Sequence, residues 1–270
     1  MKTKRLNLIT DPKMPFGFVE AYKLLRTNLK FVISDENETE ADQGNVIRMR
    51  RNGKCFVITS AVPKEGKSTV SINLAATLAA DNRRVILVEG DMRRPALSQM
   101  LGIGRSGSKK DSKEGSIDVE EGLSSLLSGS GASSDVIKHI DDLNMDVLPC
   151  GIIPPNPSEL LGRDKMKQVI EALRNSYDYV IIDAPPSSML TDAAVIGEHS
   201  DGTIMVIRSN YASAESVLKA QMNLEKAHVK VLGAIVTCHK DKKVGKHSYY
   251  YYYRRHGYTS QKKKRESKIA

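Results

Sequence analysis

The 270-residue chain is 40% hydrophobic with a formal net charge of +9, which suits one large α/β domain or two small ones. It offers no run of the ~18–20 apolar residues that a membrane span needs, and its basic start, Met1-Lys2-Thr3-Lys4-Arg5, leads into no apolar stretch, against a secretory signal. The charge is local: residues 240–270 hold eleven Lys/Arg against Asp241 and Glu266, so the rest of the chain is neutral overall and no specific nucleic-acid-binding body is expected.

Leu24, Leu25 and Leu29 recur at helical spacing and predict an N-terminal helix within residues 17–33. A polar, aperiodic loop follows at 34–53. Element types then alternate: a strand at 55–60, a small-residue helix at 68–80 and a strand at 85–88. Residues 102–121, almost without large apolar side chains, read as an exposed, flexible insertion that buries too little to offset its ordering entropy. A short helix is expected at 122–127 and a strand at 145–148. Asn156 is the expected N-cap, with Pro157 at the first position of a helix running to about Leu173.

A strand at 179–182, a helix at 192–198, a strand at 203–207, a helix at 214–227 and a strand at 231–237 complete the pattern. Short, continuously apolar strands alternating with helices imply an α/β fold, its mostly parallel sheet covered by helices on both faces. Residues 1–239 form the expected domain, and 240–270 a disordered, basic, tyrosine-rich tail. Cys55, Cys150 and Cys238 lack disulfide or zinc spacing and read as buried free thiols; the six histidines show no metal-ligand spacing.

Ala61 begins a segment, continued by Val62-Pro63-Lys64-Glu65-Gly66-Lys67-Ser68-Thr69, between a predicted strand and a predicted helix. It matches the phosphate-loop pattern G-x-x-x-x-G-K-[ST], with Ala61 in place of the first glycine. Gly66 lets backbone N–H groups close on phosphates. Lys67 places an ammonium against the β- and γ-phosphates, the Ser68 hydroxyl is an expected Mg²⁺ ligand, and the helix that follows adds its positive end. Residues 62–69 are thus the expected nucleotide contacts.

Two further strand ends carry acids: Glu89-Gly90-Asp91-Met92-Arg93, and Asp183 before Ala184-Pro185-Pro186. Ligands of open parallel sheets bind outside the carboxyl ends of the strands, so the three segments converge on one crevice. Asp183 is placed to hold the metal directly or through water. Asp91 is open to three roles: binding the metal, orienting the nucleophile or accepting its proton. Glu89 joins Lys67, Asp91 and Asp183 as a catalytic candidate, with a cap or turn role as its alternative.

In this order the motifs resemble the bacterial tyrosine kinases (BY-kinases) that accompany capsule and exopolysaccharide synthesis. The residues that carry the likeness are TSAVPKEGKS at 59–68, EGDMR at 89–93, VIIDAP at 180–185, IPPNPSELL at 153–161 and the C-terminal tyrosine cluster. The resemblance implies a P-loop kinase fold, an ATP·Mg²⁺ site built from Lys67, Ser68, Asp91 and Asp183, and autophosphorylation of Tyr249, Tyr250, Tyr251, Tyr252, Tyr253 and Tyr258 between neighbouring subunits of a ring. The family's assembly motif E-x-x-R-x-x-R falls on Glu20, Lys23 and Arg26. The resemblance also implies cytoplasmic placement and recruitment to the inner face of the membrane by a membrane-embedded activator, a polysaccharide co-polymerase.

Three positions depart from the family pattern. Lys64 stands where glycine is usual, Glu89 where the first aspartate of the second motif is usual, and Lys23 in place of an arginine, whose bidentate grip a lysine lacks. Two other readings share this layout. A partition or septum-placement ATPase carries a signature lysine at the position of Val62, and a nucleotide-switched adaptor binds without turnover. The tail could also act as an electrostatic tether. Each tyrosine phosphate adds about −1.5 to −2 charges, so five or six would overturn the tail's positive charge.

Overall fold

The computed structural model describes residues 6–34, 52–103, 121–130 and 136–239. The expected loop at 35–51, insertion residues 104–120 and the tyrosines of the tail lie outside the described residues. In chain order the elements are α1 (Phe16–Ser34), β1 (Lys54–Ser60), α2 (Lys67–Ala79), β2 (Val85–Glu89), α3 (Leu97–Met100), α4 (Leu123–Ser128), β3 (Lys138–Ile140), a 3-10 turn (Asp141–Leu143), β4 (Met145–Leu148), α5 (Pro157–Leu161), α6 (Asp164–Ser176), β5 (Tyr179–Asp183), α7 (Asp192–Gly197), β6 (Gly202–Arg208), α8 (Ala214–Lys226) and β7 (Val231–Thr237).

The strands form one sheet in the order β3-β4-β2-β5-β1-β6-β7. All pairings are parallel except β3 against β4. The central strands are apolar throughout because both faces are covered. Phe56, Ile58, Leu87 and Ile181 enter one core with α2, while Cys55, Val57, Ile86, Val88, Val180 and Ile182 enter a second core with α5, α6 and α7. This is the period-2 alternation of a strand sorted into two layers, and each fully buried large side chain contributes about 1.5–3 kcal/mol.

α2 is buried nearly all round, which its alanines allow, since larger side chains would hold α1 and the sheet apart. Leu29 buries α1's inner face against that layer, with Leu25 alongside. Arg26 and Lys30 pair with Asp81, just beyond the end of α2.

Several expectations need correction. The single helix from Pro157 to Leu173 is two, because Arg163 is extended (φ −79°, ψ 150°) and interrupts the helical ladder after Gly162. Asn156 stands at the N-cap position but caps nothing with its side chain; its amide donates to Glu159 Oε2 at 2.5 Å. β3, the antiparallel edge, was not foreseen: three residues with no full side-chain alternation leave little signal. Ile103, at the start of the supposed exposed insertion, is buried in the α2-side core. Cys55 and Cys150 are buried, but Cys238 is exposed, in the left-handed turn after β7 (φ 54°). β7 is an edge strand and only partly covered.

Candidate functional site

The loop between β1 and α2 leaves the carboxyl end of a central strand, flanked by β5 and β6. Gly66 takes φ 96°, a left-handed conformation that favours glycine. Lys64 also adopts a left-handed conformation, φ 69°. That explains why glycine is usual there, since a Cβ is disfavoured in this region. Val62 and Thr69 are half-buried, Pro63 and Lys64 are exposed, and Glu65 is buried.

Four residues from three elements meet beyond this loop. Lys67, in the first turn of α2, brings Nζ to 2.8 Å from Asp91 Oδ2 and 3.6 Å from Asp183 Oδ2. Ser68 Oγ donates to Asp183 Oδ2 at 2.6 Å, and Ser71 Oγ to Asp183 Oδ1 at 3.2 Å. Asp91 Oδ1 accepts the Arg94 N–H at 3.0 Å. Gly90 makes the approach of the two acidic strand ends possible. A Cβ there would lie 3.0 Å from the Asp183 carbonyl oxygen and 2.9 Å from Ile182 Cγ2, and its N–H donates to that carbonyl at 2.8 Å.

Burial sets the electrostatics. It pulls the Lys67 ammonium toward neutrality, but Asp183 and Asp91 outweigh it and hold its pKa above the ordinary lysine value. For Asp183 burial dominates and raises the carboxyl above its usual range, against the pull of Lys67 and the Ser68 and Ser71 hydroxyls. Two acids and one lysine therefore share a largely dehydrated cluster.

Ser68 Oγ and Asp183 Oδ2, both hard oxygens, lie slightly closer together than the roughly 3 Å edge of an octahedral Mg²⁺ shell. They fit that ion as two neighbouring ligands. Among the described residues no group of three or more His, Cys, Asp or Glu could hold a metal alone.

Glu89 is not brought into this cluster. Its carboxylate is 1% exposed and fully engaged, accepting the N–H groups of Leu97 (2.7 Å), Ser98 (3.4 Å) and Cys150 (3.0 Å) and the Ser98 hydroxyl (2.8 Å). It caps α3 and ties it to the turn after β4. Nor does α1 present a free acid-base triad. Lys23 pairs with Glu20 at 2.8 Å, and Arg26 reaches Asp81 at 3.5 Å and the Thr77 carbonyl at 3.3 Å.

Sequence reasoning missed Ser71, although its spacing of three from Ser68 puts both on one helical face. It also missed the link from Arg93 to the fully buried Asp192 (3.0 Å) and to Ser158 (2.6 Å), which fastens α5 and α7 to the Asp91 turn. No local signal pairs residues so far apart in the chain.

Residues 58–233 match the family described as AAA domain. The chain is 34% identical over 240 residues to tyrosine-protein kinase YwqD of Bacillus subtilis (strain 168), covering 89% of this chain and 87% of YwqD. It is 32% identical over 235 residues to tyrosine-protein kinase Etk of Escherichia coli (strain K12), covering 87% of this chain but spanning 28% of the length of Etk. The solved kinase domain of Etk matches with a TM-score of 0.72 at 31% identity, over 91% of this chain and 85% of that one. The septum site-determining protein MinD of Pyrococcus horikoshii OT3, solved with Mg-ADP, shares the fold at a TM-score of 0.54 and 26% identity, over 68% of this chain and 70% of that one.

Proposed function

The chain belongs to the bacterial tyrosine-protein kinase family, and we propose from that premise that it transfers the γ-phosphoryl group of ATP to the clustered tyrosines at 249–253 and Tyr258. The observation that carries this reading is the convergence of Lys67, Ser68, Asp91 and Asp183 at the carboxyl ends of β1, β2 and β5. Nucleotide would bind along residues 62–69, and Ser68 and Asp183, with Asp91 close by, would hold Mg²⁺. Bound there, the ion would supply neutralisation of phosphate charge.

The protein's own groups do the rest. Without nucleotide, Lys67 is locked to Asp91, so the base and the phosphate ligand neutralise each other. Phosphates compete for Lys67 and release Asp91, which then orients the tyrosine hydroxyl and takes its proton as the new phosphorus–oxygen bond replaces the bond to ADP. Glu89 contributes indirectly, by fixing α3 and the β2 end.

The same premise supports a homo-oligomer that uses α1 with Glu20, Lys23 and Arg26, and a role in capsule or exopolysaccharide synthesis. No helix among the described residues is long and apolar enough to cross a membrane, and we propose recruitment to the inner face by a membrane-embedded co-polymerase. Lys67→Met tests the centre: incubation with labelled ATP should phosphorylate tyrosine in the wild type and lose at least about 100-fold in the variant, the scale of removing a transition-state charge partner. Phosphotyrosine persisting in the purified variant would refute the assignment, and free phosphate without phosphotyrosine would make the protein an ATPase.

A further inference from the structure

Three contacts from distant strands, and one from within the loop, converge on Lys64 and Glu65 of the nucleotide loop. The Glu65 carboxylate accepts the Val62 N–H at 2.8 Å with one oxygen and the Arg208 N–H, at the end of β6, at 3.1 Å with the other. The Glu65 carbonyl accepts the hydroxyl of Thr237, the last residue of β7, at 2.7 Å. Arg208 Nη1 donates to the Lys64 carbonyl at 3.4 Å, with its guanidinium 4.9 Å from the ring centroid of Tyr211. Glu65 is 1% exposed. A buried acid beside a phosphate site would repel the ligand if it faced it; with both oxygens accepting backbone N–H groups, it faces the scaffold instead.

We propose that Glu65 and Thr237 are positioning residues that clasp the nucleotide loop in its binding shape and so set affinity for ATP rather than the rate of transfer. The proposal rests on reading this loop as the phosphate site. The loop needs the clasp because Lys64 holds a left-handed backbone conformation that a side chain disfavours. Such a conformation persists only where neighbours over-determine it. Contacts on the carbonyls of Lys64 and Glu65 hold the two peptide planes that follow Lys64, and the contact on the Val62 amide holds the plane where the chain enters the loop. Thr237 also backs the next residue: a Cβ on Gly66 would lie 3.7 Å from its Cγ2.

The test compares Thr237→Val, nearly isosteric but without a donor, with Thr237→Ser, which keeps the hydroxyl, in the full chain. Steady-state tyrosine phosphorylation gives kcat and KM for ATP; calorimetry gives Kd for a non-hydrolysable ATP analogue with Mg²⁺. Thr237→Val should raise KM and the analogue Kd about three- to tenfold, the worth of one net hydrogen bond, with kcat within about twofold. Thr237→Ser should restore both constants. Glu65→Gln, whose amide nitrogen cannot accept an N–H, should weaken binding more, and the threonine pair decides if that variant fails to fold. Equal KM in both threonine variants, or a fall in kcat at constant KM, would overturn the clasp alone. Failure of the wild type to bind the analogue would overturn the phosphate-loop reading and the clasp with it.

Discussion

Asp183 shows at the scale of one residue how a site can work against the fold that holds it. Its carboxylate is 1% exposed, and burial raises its pKa above the ordinary 3.8. Between those two values the folded protein keeps a proton that the unfolded chain has released, so through this group stability falls as pH rises across the window. Asp183→Asn should therefore raise the unfolding midpoint of the nucleotide-free protein at pH 7.5, with Lys67 still paired to Asp91. The gain should shrink as pH falls toward the ordinary carboxylate value, where the wild-type carboxyl regains its proton. Phosphoryl transfer should be lost at every pH. Thermal unfolding across this range checks the prediction, and a midpoint at pH 7.5 equal to or below the wild type would contradict it. The sequence marked Asp183 as a strand-end acid; its dehydration follows from its place between β1 and β2, with Ser68, Ser71 and Lys67 against its carboxylate.

Among the elements, α2 ties together more of the molecule than its short apolar sequence suggests. Asn73 is fully buried in its middle. Its Oδ1 accepts the Ile9 N–H at 2.7 Å, and its amide donates to the carbonyls of Asn7 and Thr69, both at 2.9 Å. Asn73→Ala leaves the Ile9 N–H and Asn7 carbonyl without these partners, and should cost about 1–3 kcal/mol in chemical denaturation. The segment before α1 should also become a new site of limited proteolysis, absent from the wild-type digest; an unchanged digestion pattern would show that Leu6, Leu8 and Ile9 hold it by packing alone. Periodicity placed the buried parallel strands well, because each must be apolar on both faces. It placed α5 and α6 poorly, because their separation is one extended residue, Arg163, inside a pattern that reads as continuous helix.

For the molecule as a whole, the site predicts a large response to ligand. ATP analogue with Mg²⁺ at about 100 times its Kd should add about 2.7 kcal/mol to unfolding, or roughly 5–10 °C in midpoint for a chain of this size. EDTA should remove most of that shift, because in the proposed arrangement Ser68 and Asp183 reach the phosphates chiefly through the ion. A shift insensitive to EDTA would place the metal elsewhere. The sequence alone determined the fold class and the three strand-end motifs, because strand alternation and a glycine-lysine-serine turn are local properties of the chain. It kept Glu89 beside Asp91 as a catalytic candidate, with a cap or turn role as the alternative for Glu89. The tertiary structure takes Glu89 out of the cluster, by closing α3 and the turn after β4 around it while leaving Asp91 against Lys67. It alone also joined Glu65 to Arg208 and Thr237. Such partners are set by how strands are ordered across the sheet, which short-range sequence patterns do not encode.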